Sequence, residues 1–403
     1  MSRVVVTGLG IVCCLGRGKD AVWARLLAGT NKFRPVTLPG FQEFRSRIAG
    51  QVAEEDLATA SSALPPRVSR HELLGWTAVQ EALADAAWGT TYPLEEVGVA
   101  AGIGAAGMLE AEDWVIQRRE TGGRGDVRGL YGYPVSSLSD LLAAFYGWSG
   151  LRLSIATACS SSGVALGLAA DGIRKGRCRA CVVVGSEALS RLTYAGFQSL
   201  RTMSPDVCRP FDRRRRGLIL GEGAAALTLE TYDAARARGA VMYGELLGWG
   251  LSSEAYHMTA PHPGGTGAVR AMRQAVARAG VGLEDVGYVN LHGTGTGQND
   301  AAETLAVKTV FGPHAYRLLL SSTKAMTGHC LGAAGALESV FTLLTLHHRV
   351  APPTVGLEEP DPACDLDYLP ATPRPAPFLR FAINNVMAFG GNNVAVLFGR
   401  TDG

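Results

Sequence analysis

One thiol and two imidazoles in this sequence have the types and settings of a catalytic set. Cys159 stands in Ala156-Thr-Ala-Cys-Ser-Ser-Ser-Gly163, a turn that feeds a small-residue helix. His292 opens His292-Gly-Thr-Gly-Thr296, and His329 closes Thr327-Gly-His329. A cysteine attacks as thiolate, and a free thiol is mostly protonated at neutral pH, so the site has to make it more acidic. A helix N-terminus offers partial positive charge and unpaired N–H groups, and a nearby imidazole adds to both. Small residues beside Cys159 let its own N–H approach a substrate oxygen as half of an oxyanion hole. An isolated cysteine in an apolar segment is ordinarily a small buried hydrophobe, a reading that this setting reverses. The histidines divide in the same way. His347 and His348 follow a helix and read as surface, while His71, His257, His262 and His314 lie in polar or loop contexts. His292 and His329 are embedded in Gly and Thr, where the backbone is free and a ring can face a cleft.

The elements that position these residues come from the apolar pattern. Short runs at Val4–Val6, Val97–Ala101, Leu153–Ala156, Cys181–Val184, Tyr288–Leu291, Leu318–Ser321 and Phe381–Asn384 alternate with helical stretches, which implies a layered α/β fold. The order also repeats. In the first half a strand leads to Cys159 and the helix from Ser162, then to a buried strand and a glycine-rich hairpin, Gly221–Leu229. In the second half Thr327-Gly-His329 leads to the helix from Gly332, then to Phe381–Asn384 and a hairpin, Gly390–Phe398. Cys159 and His329 thus start equivalent helices, and a duplicated unit with its site at the junction follows. The Ala- and Arg-rich segment Glu230–Gly244 is the expected boundary, giving halves 1–241, with the nucleophile, and 242–403, with both histidines. Residues 104–150 read as an insertion forming an interface or cavity wall, and Ala351–Pro377 as a connecting loop.

Composition excludes several classes. A chain of 403 residues, 47% hydrophobic, can bury a large core. Its 38 Lys and Arg against 36 Asp and Glu leave a formal charge of +2, too balanced for a nucleic-acid binder acting through bulk field. The sequence opens directly on a strand and turn rather than a secretory signal, and no window approaches a spanning length, so a cytoplasmic protein with no membrane partner is expected. The cysteines show no framework spacing and read as reduced thiols. Cys178 and Cys181 form a lone Cys-x-x-Cys without the second pair of a zinc site, so no metal is expected.

Taken together, Ala-Thr-Ala-Cys159-Ser-Ser-Ser, His292-Gly-Thr-Gly-Thr, Ser321-Ser-Thr-Lys-Ala-Met-Thr-Gly-His-Cys-Leu-Gly-Ala-Ala-Gly-Ala-Leu-Glu338 and Ala388-Phe-Gly-Gly-Asn-Asn393 resemble the beta-ketoacyl-ACP synthase II family over nearly the whole chain. The resemblance implies a thiolase-like duplicated αβαβα layered fold and a decarboxylative condensation with no bound cofactor. Substrates would ride on the phosphopantetheine arm of an acyl carrier protein. Cys159 would take the acyl group, and His292 and His329 would hold the malonyl thioester carbonyl as carbon dioxide leaves. The backbone N–H groups of Cys159 and Phe389 would receive the oxyanion. Lys324 would form a buried ion pair near Glu303, behind the histidines. Thr294 and Thr296 would bind the pantetheine arm, Phe389 would gate the site, Ile103 and Phe197 would line the acyl tunnel and its entrance, and Arg201 would meet the carrier. A dimer is implied, either of identical chains or with a chain-length-factor paralogue.

Departures from the family pattern bear on substrate. Met387-Ala388 stands where Phe-Gly is usual, which suggests a stiffer gating loop. His71, Leu74 and Gly75 occupy helix positions where members carry basic residues for the carrier, and the run Arg213–Arg216 is a candidate replacement. The His292 and Cys159 motifs look closer to type II polyketide and aryl polyene ketosynthases than to housekeeping fatty-acid elongation enzymes. Three rival readings are weaker. A dinucleotide fingerprint at Gly8-Leu-Gly10 fails at Cys13. A non-condensing partner, a chain-length factor or a malonyl decarboxylase, is the more serious rival, and its factor form conflicts with the intact Cys159. A thiolase role for Cys330 conflicts with the paired histidine motifs.

Overall fold

The computed structural model describes residues 2–57, 64, 68–123 and 125–401. Ten strands form the path of one mixed sheet: β1 (Val4–Cys13), β2 (Val97–Gly102), β3 (Arg152–Ile155), β4 (Ala180–Glu187), β5 (Gly223–Thr231), β6 (Gly244–Ser253), β7 (Val286–Asn290), β8 (Leu319–Ser321), β9 (Phe381–Met387) and β10 (Asn392–Gly399). Their spatial order is β8-β7-β9-β10-β6-β1-β5-β4-β2-β3. Read outward from the middle, each half has the same plan, β1-β5-β4-β2-β3 answering β6-β10-β9-β7-β8. The halves join where β1 pairs antiparallel with β6, Val5 opposite Glu245 and Val6 opposite Gly244.

Helices complete the layers: α1 (Arg70–Ala86), α2 (Ser161–Arg174), α3 (Thr266–Ala279), α4 (Gly297–Phe311) and α5 (Ala334–His348). Helix α1 covers β1 from outside and α3 covers β6, while α2 and α5 lie buried between the halves. Residues Ala334–Leu346 of α5 are all buried, and its Ser339, Thr342 and Thr345 hydroxyls donate back to the Gly335, Glu338 and Phe341 carbonyls of the helix itself.

The glycines of the first strand have a different role from the one the sequence suggested. Gly8 and Gly10 do not make a turn, because β1 runs unbroken to Cys13. A Cβ on Gly8 would stand 2.2 Å from the Ala82 carbonyl and one on Gly10 1.9 Å from that of Ala78. Their absence lets α1 lie directly on the strand. Gly248 and Gly250 of β6 repeat the device against Ala275 and Ala271 of α3, at 2.2 and 2.1 Å. The duplication therefore extends to side-chain detail.

Residues 104–150 fold as two helices, Met108–Thr121 and Ser137–Tyr146, joined through Val127–Leu130. They leave Val115, Ile116, Tyr131 and Tyr133 exposed. Among the described residues no helix is long and apolar enough to cross a membrane.

Candidate active site

Cys159 lies in the short connection from β3 to α2, buried and just ahead of the helix. The preceding Ala158 adopts a φ of 53°, a left-handed conformation that costs a residue with a Cβ and persists only where the surroundings enforce it. Here the serines enforce it. Thr157 N–H donates to Ser161 Oγ at 2.9 Å, Ser161 Oγ donates to the Ala158 carbonyl at 2.6 Å, and Ser160 Oγ donates to the Thr157 carbonyl at 2.7 Å. Helix α2 then crosses α5 with almost no space between them. A Cβ on Gly335 would come 2.5 Å from Gly163 N, and Ala336 N–H donates to Ser162 Oγ at 2.8 Å. The small residues of both motifs thus bring the two copies of the unit into contact beside the nucleophile.

That crossing places His329 Nε2 3.1 Å from Cys159 Sγ. The His329 backbone is fixed on both sides, donating to the Ile219 carbonyl at 2.8 Å and accepting from Gly221 N–H at 3.1 Å. His292 follows β7, and its ring centroid is 5.1 Å from that of His329 with the planes at 83°. Burial, then the Lys324 charge, hold both imidazoles well below their usual range, so each is neutral and carries one N–H. A pair of neutral donors at right angles suits an oxygen that gains negative charge.

Two expectations are corrected here. Lys324 does not pair with Glu303; its ammonium is joined to Glu338 of α5, and both groups are buried. Glu303, from α4, instead accepts from His292 N–H at 2.7 Å, Gly293 N–H at 2.8 Å and Asn385 Nδ2 at 2.7 Å, and so anchors the His292 turn. Burial pushes the Glu303 carboxyl up to about 7 against those bonds. The thiol is also not acidic at rest. Burial pushes Cys159 up to about 12, outweighing the Lys324 charge and the Phe389 N–H that face the sulfur. At rest the sulfur is therefore held as a thiol next to the His329 imidazole.

These groups open onto a cavity of about 400 Å³. Cys159, His292, His329, Thr294, Thr296, Phe197, Phe389 and Arg201 all line it. Thr294 and Thr296 share a hydrogen bond of 3.0 Å. Phe197 and Phe389, both in the cavity wall, stack at 5.4 Å. Gly390 and Gly391 take φ of 79° and 77°, which glycine adopts freely, while Ala388 is extended and its N–H is tied to the Asn392 carbonyl at 2.9 Å.

Other expected positions are not brought to the cavity. Ile103, just past the end of β2, does not line this cavity and packs with Leu74, Val182 and Val184. His71 and Leu74 are buried, so their stretch of α1 offers no docking charge. The four consecutive arginines are neutralised locally: Arg213 by Glu359, Arg214 by Asp212 and Glu358, Arg215 by Asp361, and Arg216 by Asp206. Arg201 is exposed and lines the cavity, and among the described residues it has no ion-pair partner. Cys330 is buried behind His329 and off the cavity. Sequence reasoning missed the Glu338 partnership, although Glu338 lies in a quoted motif 14 positions from Lys324. It also missed Asn385, which no motif signals.

Residues 1–235 match the beta-ketoacyl synthase N-terminal domain and residues 243–358 its C-terminal domain. The chain belongs to the beta-ketoacyl synthase family. It is 37% identical over 406 residues to the Synechocystis sp. protein named 3-oxoacyl-acyl-carrier-protein synthase 2, spanning 98% of this chain and 97% of that one. Among solved structures it superposes with a TM-score of 0.92 on the ishigamide ketosynthase/chain length factor, at 31% identity and 99% coverage of both chains. The same TM-score, at 30% identity and 100% coverage of both, relates it to a ketosynthase solved with a type II PKS acyl-carrier protein and bound to the hexaketide. The synthase fold is the thiolase-like duplicated layering implied by its motifs.

Proposed function

We propose that this synthase catalyses decarboxylative Claisen condensation between an acyl group carried on Cys159 and malonyl-acyl carrier protein, giving a 3-ketoacyl-carrier and carbon dioxide. The observation that carries the reading is the 3.1 Å contact of Cys159 Sγ with His329 Nε2, with His292 perpendicular beside it, over one cavity. In the first half-reaction Sγ attacks the acyl thioester carbonyl while its proton passes to His329. The new carbon–sulfur bond forms, the old one breaks, and the carrier thiol leaves with the proton. The N–H groups of Cys159 and Phe389 hold the oxyanion in between.

In the second half-reaction the malonyl carboxylate leaves as carbon dioxide. The electron pair of the broken carbon–carbon bond moves onto the thioester oxygen, where the N–H groups of His292 and His329 hold it. The resulting carbanion attacks the acyl-Cys159 carbonyl, and collapse breaks the carbon–sulfur bond and expels the sulfur as thiolate, which takes up one proton from solvent to return to the resting thiol. The thioester oxygen serves as electron sink, so the chemistry calls for no cofactor on the chain. Thr294 and Thr296 stand where the pantetheine arm would lie, and Phe389 with Phe197 would admit it.

A type II polyketide or aryl polyene pathway is proposed over fatty-acid elongation, supported by the names of the two solved relatives. The partners are an acyl carrier protein and a second subunit, a copy of this chain or a chain-length-factor paralogue, and the setting is cytoplasmic. Exposed apolar residues at 115, 116, 131 and 133 support a subunit contact. The division between the halves is placed after residue 241. Intact-mass measurement after incubation with acyl-carrier protein tests the reading: one acyl adduct on wild type and none on Cys159→Ala is expected, with malonyl decarboxylation kept by the variant. An unmodified wild type would remove the proposal.

A further inference from the structure

The backbone that holds His329 ends on a buried ion pair that the chemistry above leaves unused. Residues Leu218–Glu222 run between two other stretches of chain. On one side the Ile219 carbonyl accepts from His329 N–H at 2.8 Å, and Gly221 N–H donates to the His329 carbonyl at 3.1 Å. On the other side Gly50 N–H donates to the Leu220 carbonyl at 2.8 Å, and Glu222 N–H donates to the Gly50 carbonyl at 3.0 Å. The stack leaves no slack. A Cβ on Gly50 or on Gly221 would stand 2.5 Å from the carbonyl of Thr327, two positions before His329. The place of His329 is therefore the place of Leu218–Glu222.

Glu222 fixes that segment at its end. Its side chain is fully buried. Oε1 accepts from Val52 N–H at 3.0 Å and Arg70 Nη2 at 2.7 Å, and Oε2 accepts from Arg70 Nε at 2.9 Å and Leu189 N–H at 3.2 Å. The guanidinium thus meets both oxygens as a planar fork, a geometry that lysine does not supply. Arg70 opens α1, its side chain is 10% exposed, and its Nη1 meets the exposed Glu54 at 2.7 Å. One carboxylate in this way ties α1, the Gly50–Val52 stretch and the chain just past β4 to the residue after Gly221. Neither Arg70 nor Glu222 lines the cavity, so any effect on the reaction passes through the backbone between them and His329.

We propose that Arg70 and Glu222 are a positioning pair for His329: the fork locks the Leu218–Glu222 backbone, and that backbone holds the imidazole 3.1 Å from Cys159 Sγ. The inference rests on reading Cys159 as the acyl acceptor and His329 as its partner in both half-reactions.

The test separates positioning from plain stability by using a second buried pair as control. Glu230 of β5 and Arg238 have side chains 0% and 16% exposed, and Glu230 bonds Thr7, Trp88 and Tyr92 rather than any residue of the cavity. Arg70→Met, Arg70→Lys and Arg238→Met are compared by melting and, well below each melting point, by kcat and KM with acyl- and malonyl-carrier protein. Arg70→Met should lose kcat by roughly tenfold to a hundredfold, since a misplacement of about 1 Å costs on the order of 100-fold, with the carrier KM unmoved. Carbon dioxide release in a Cys159→Ala background should fall with it, because His329 serves both steps. Arg70→Lys, with the charge but not the fork, should fall between wild type and Arg70→Met, and it carries the test by itself should the methionine variant not fold. Arg238→Met should melt lower with wild-type kcat. Wild-type kcat in the Arg70 variants, a raised carrier KM with kcat intact, or an equal kcat loss in Arg238→Met overturns the proposal. Failure of wild-type Cys159 to accept an acyl group in the same assay would instead defeat the condensation reading.

Discussion

Replacing Lys324 by Met tests the corrected ion pair and the state of the histidines together. Lys324 is 1% exposed and Glu338 is 3% exposed. Glu338 Oε1 bonds the ammonium, and among the described residues Oε2 has no hydrogen-bond partner. Removing the lysine therefore leaves a buried carboxylate with nothing to compensate it, which costs about 3–5 kcal/mol. The pH dependence of that loss has a definite sign. Burial already raises the Glu338 carboxyl against the Lys324 charge, and without that charge it rises further. The folded variant then favours the protonated acid, so its deficit is smallest at low pH and grows as pH rises through the folded value. Lys324→Met/Glu338→Gln should recover most of the stability. The kinetic effect is separate. Lys324 is the second cause, after burial, that keeps His292 and His329 neutral, so its removal lets both protonate more readily. The acid limb of malonyl-carrier decarboxylation, measured in a Cys159→Ala background, should move to higher pH. Melting curves at two pH values and the decarboxylation profile check both halves. Wild-type melting at high pH with an unmoved acid limb would refute the reasoning.

Other perturbations have equally definite outcomes. His292→Ala or His329→Ala should slow decarboxylation by at least about 100-fold, the scale of one lost oxyanion donor, measured as carbon dioxide release. Arg201→Glu should weaken use of carrier-bound substrate with little change toward small acyl thioesters, whereas Arg213→Glu, at an arginine already paired with Glu359, should leave both alone; equal losses for both substrates in Arg201→Glu would argue against docking. Gly335→Ala forces a Cβ to within 2.5 Å of Gly163 N, so it should lower stability by about 1–3 kcal/mol through overpacking and reduce acylation of Cys159, read by melting and by mass.

Much of the site was legible because its parts are local. Cys159 and His329 could be matched as starts of equivalent helices, since the repeat places them there and small residues announce a close crossing. What failed depended on distance or on burial. Glu303 and Glu338 both lie in motifs near the histidines, and chain separation does not say which carboxylate the ammonium reaches. The helix end argued for an acidic thiol, but desolvation, a property of the whole core, is the larger effect at Cys159. Gly8-Leu-Gly10 looked like a turn because glycine serves both bends and close contacts, and only the presence of α1 above it decides.

The meeting of Gly163 with Gly335 has a consequence for how the protein can be divided. Sulfur is contributed by one ancestral copy and both nitrogens by the other, so a fragment spanning either copy would be chemically silent even if it folded. Duplication here did not make a spare catalyst; it made two complementary halves, and the catalyst came into being only where they touch.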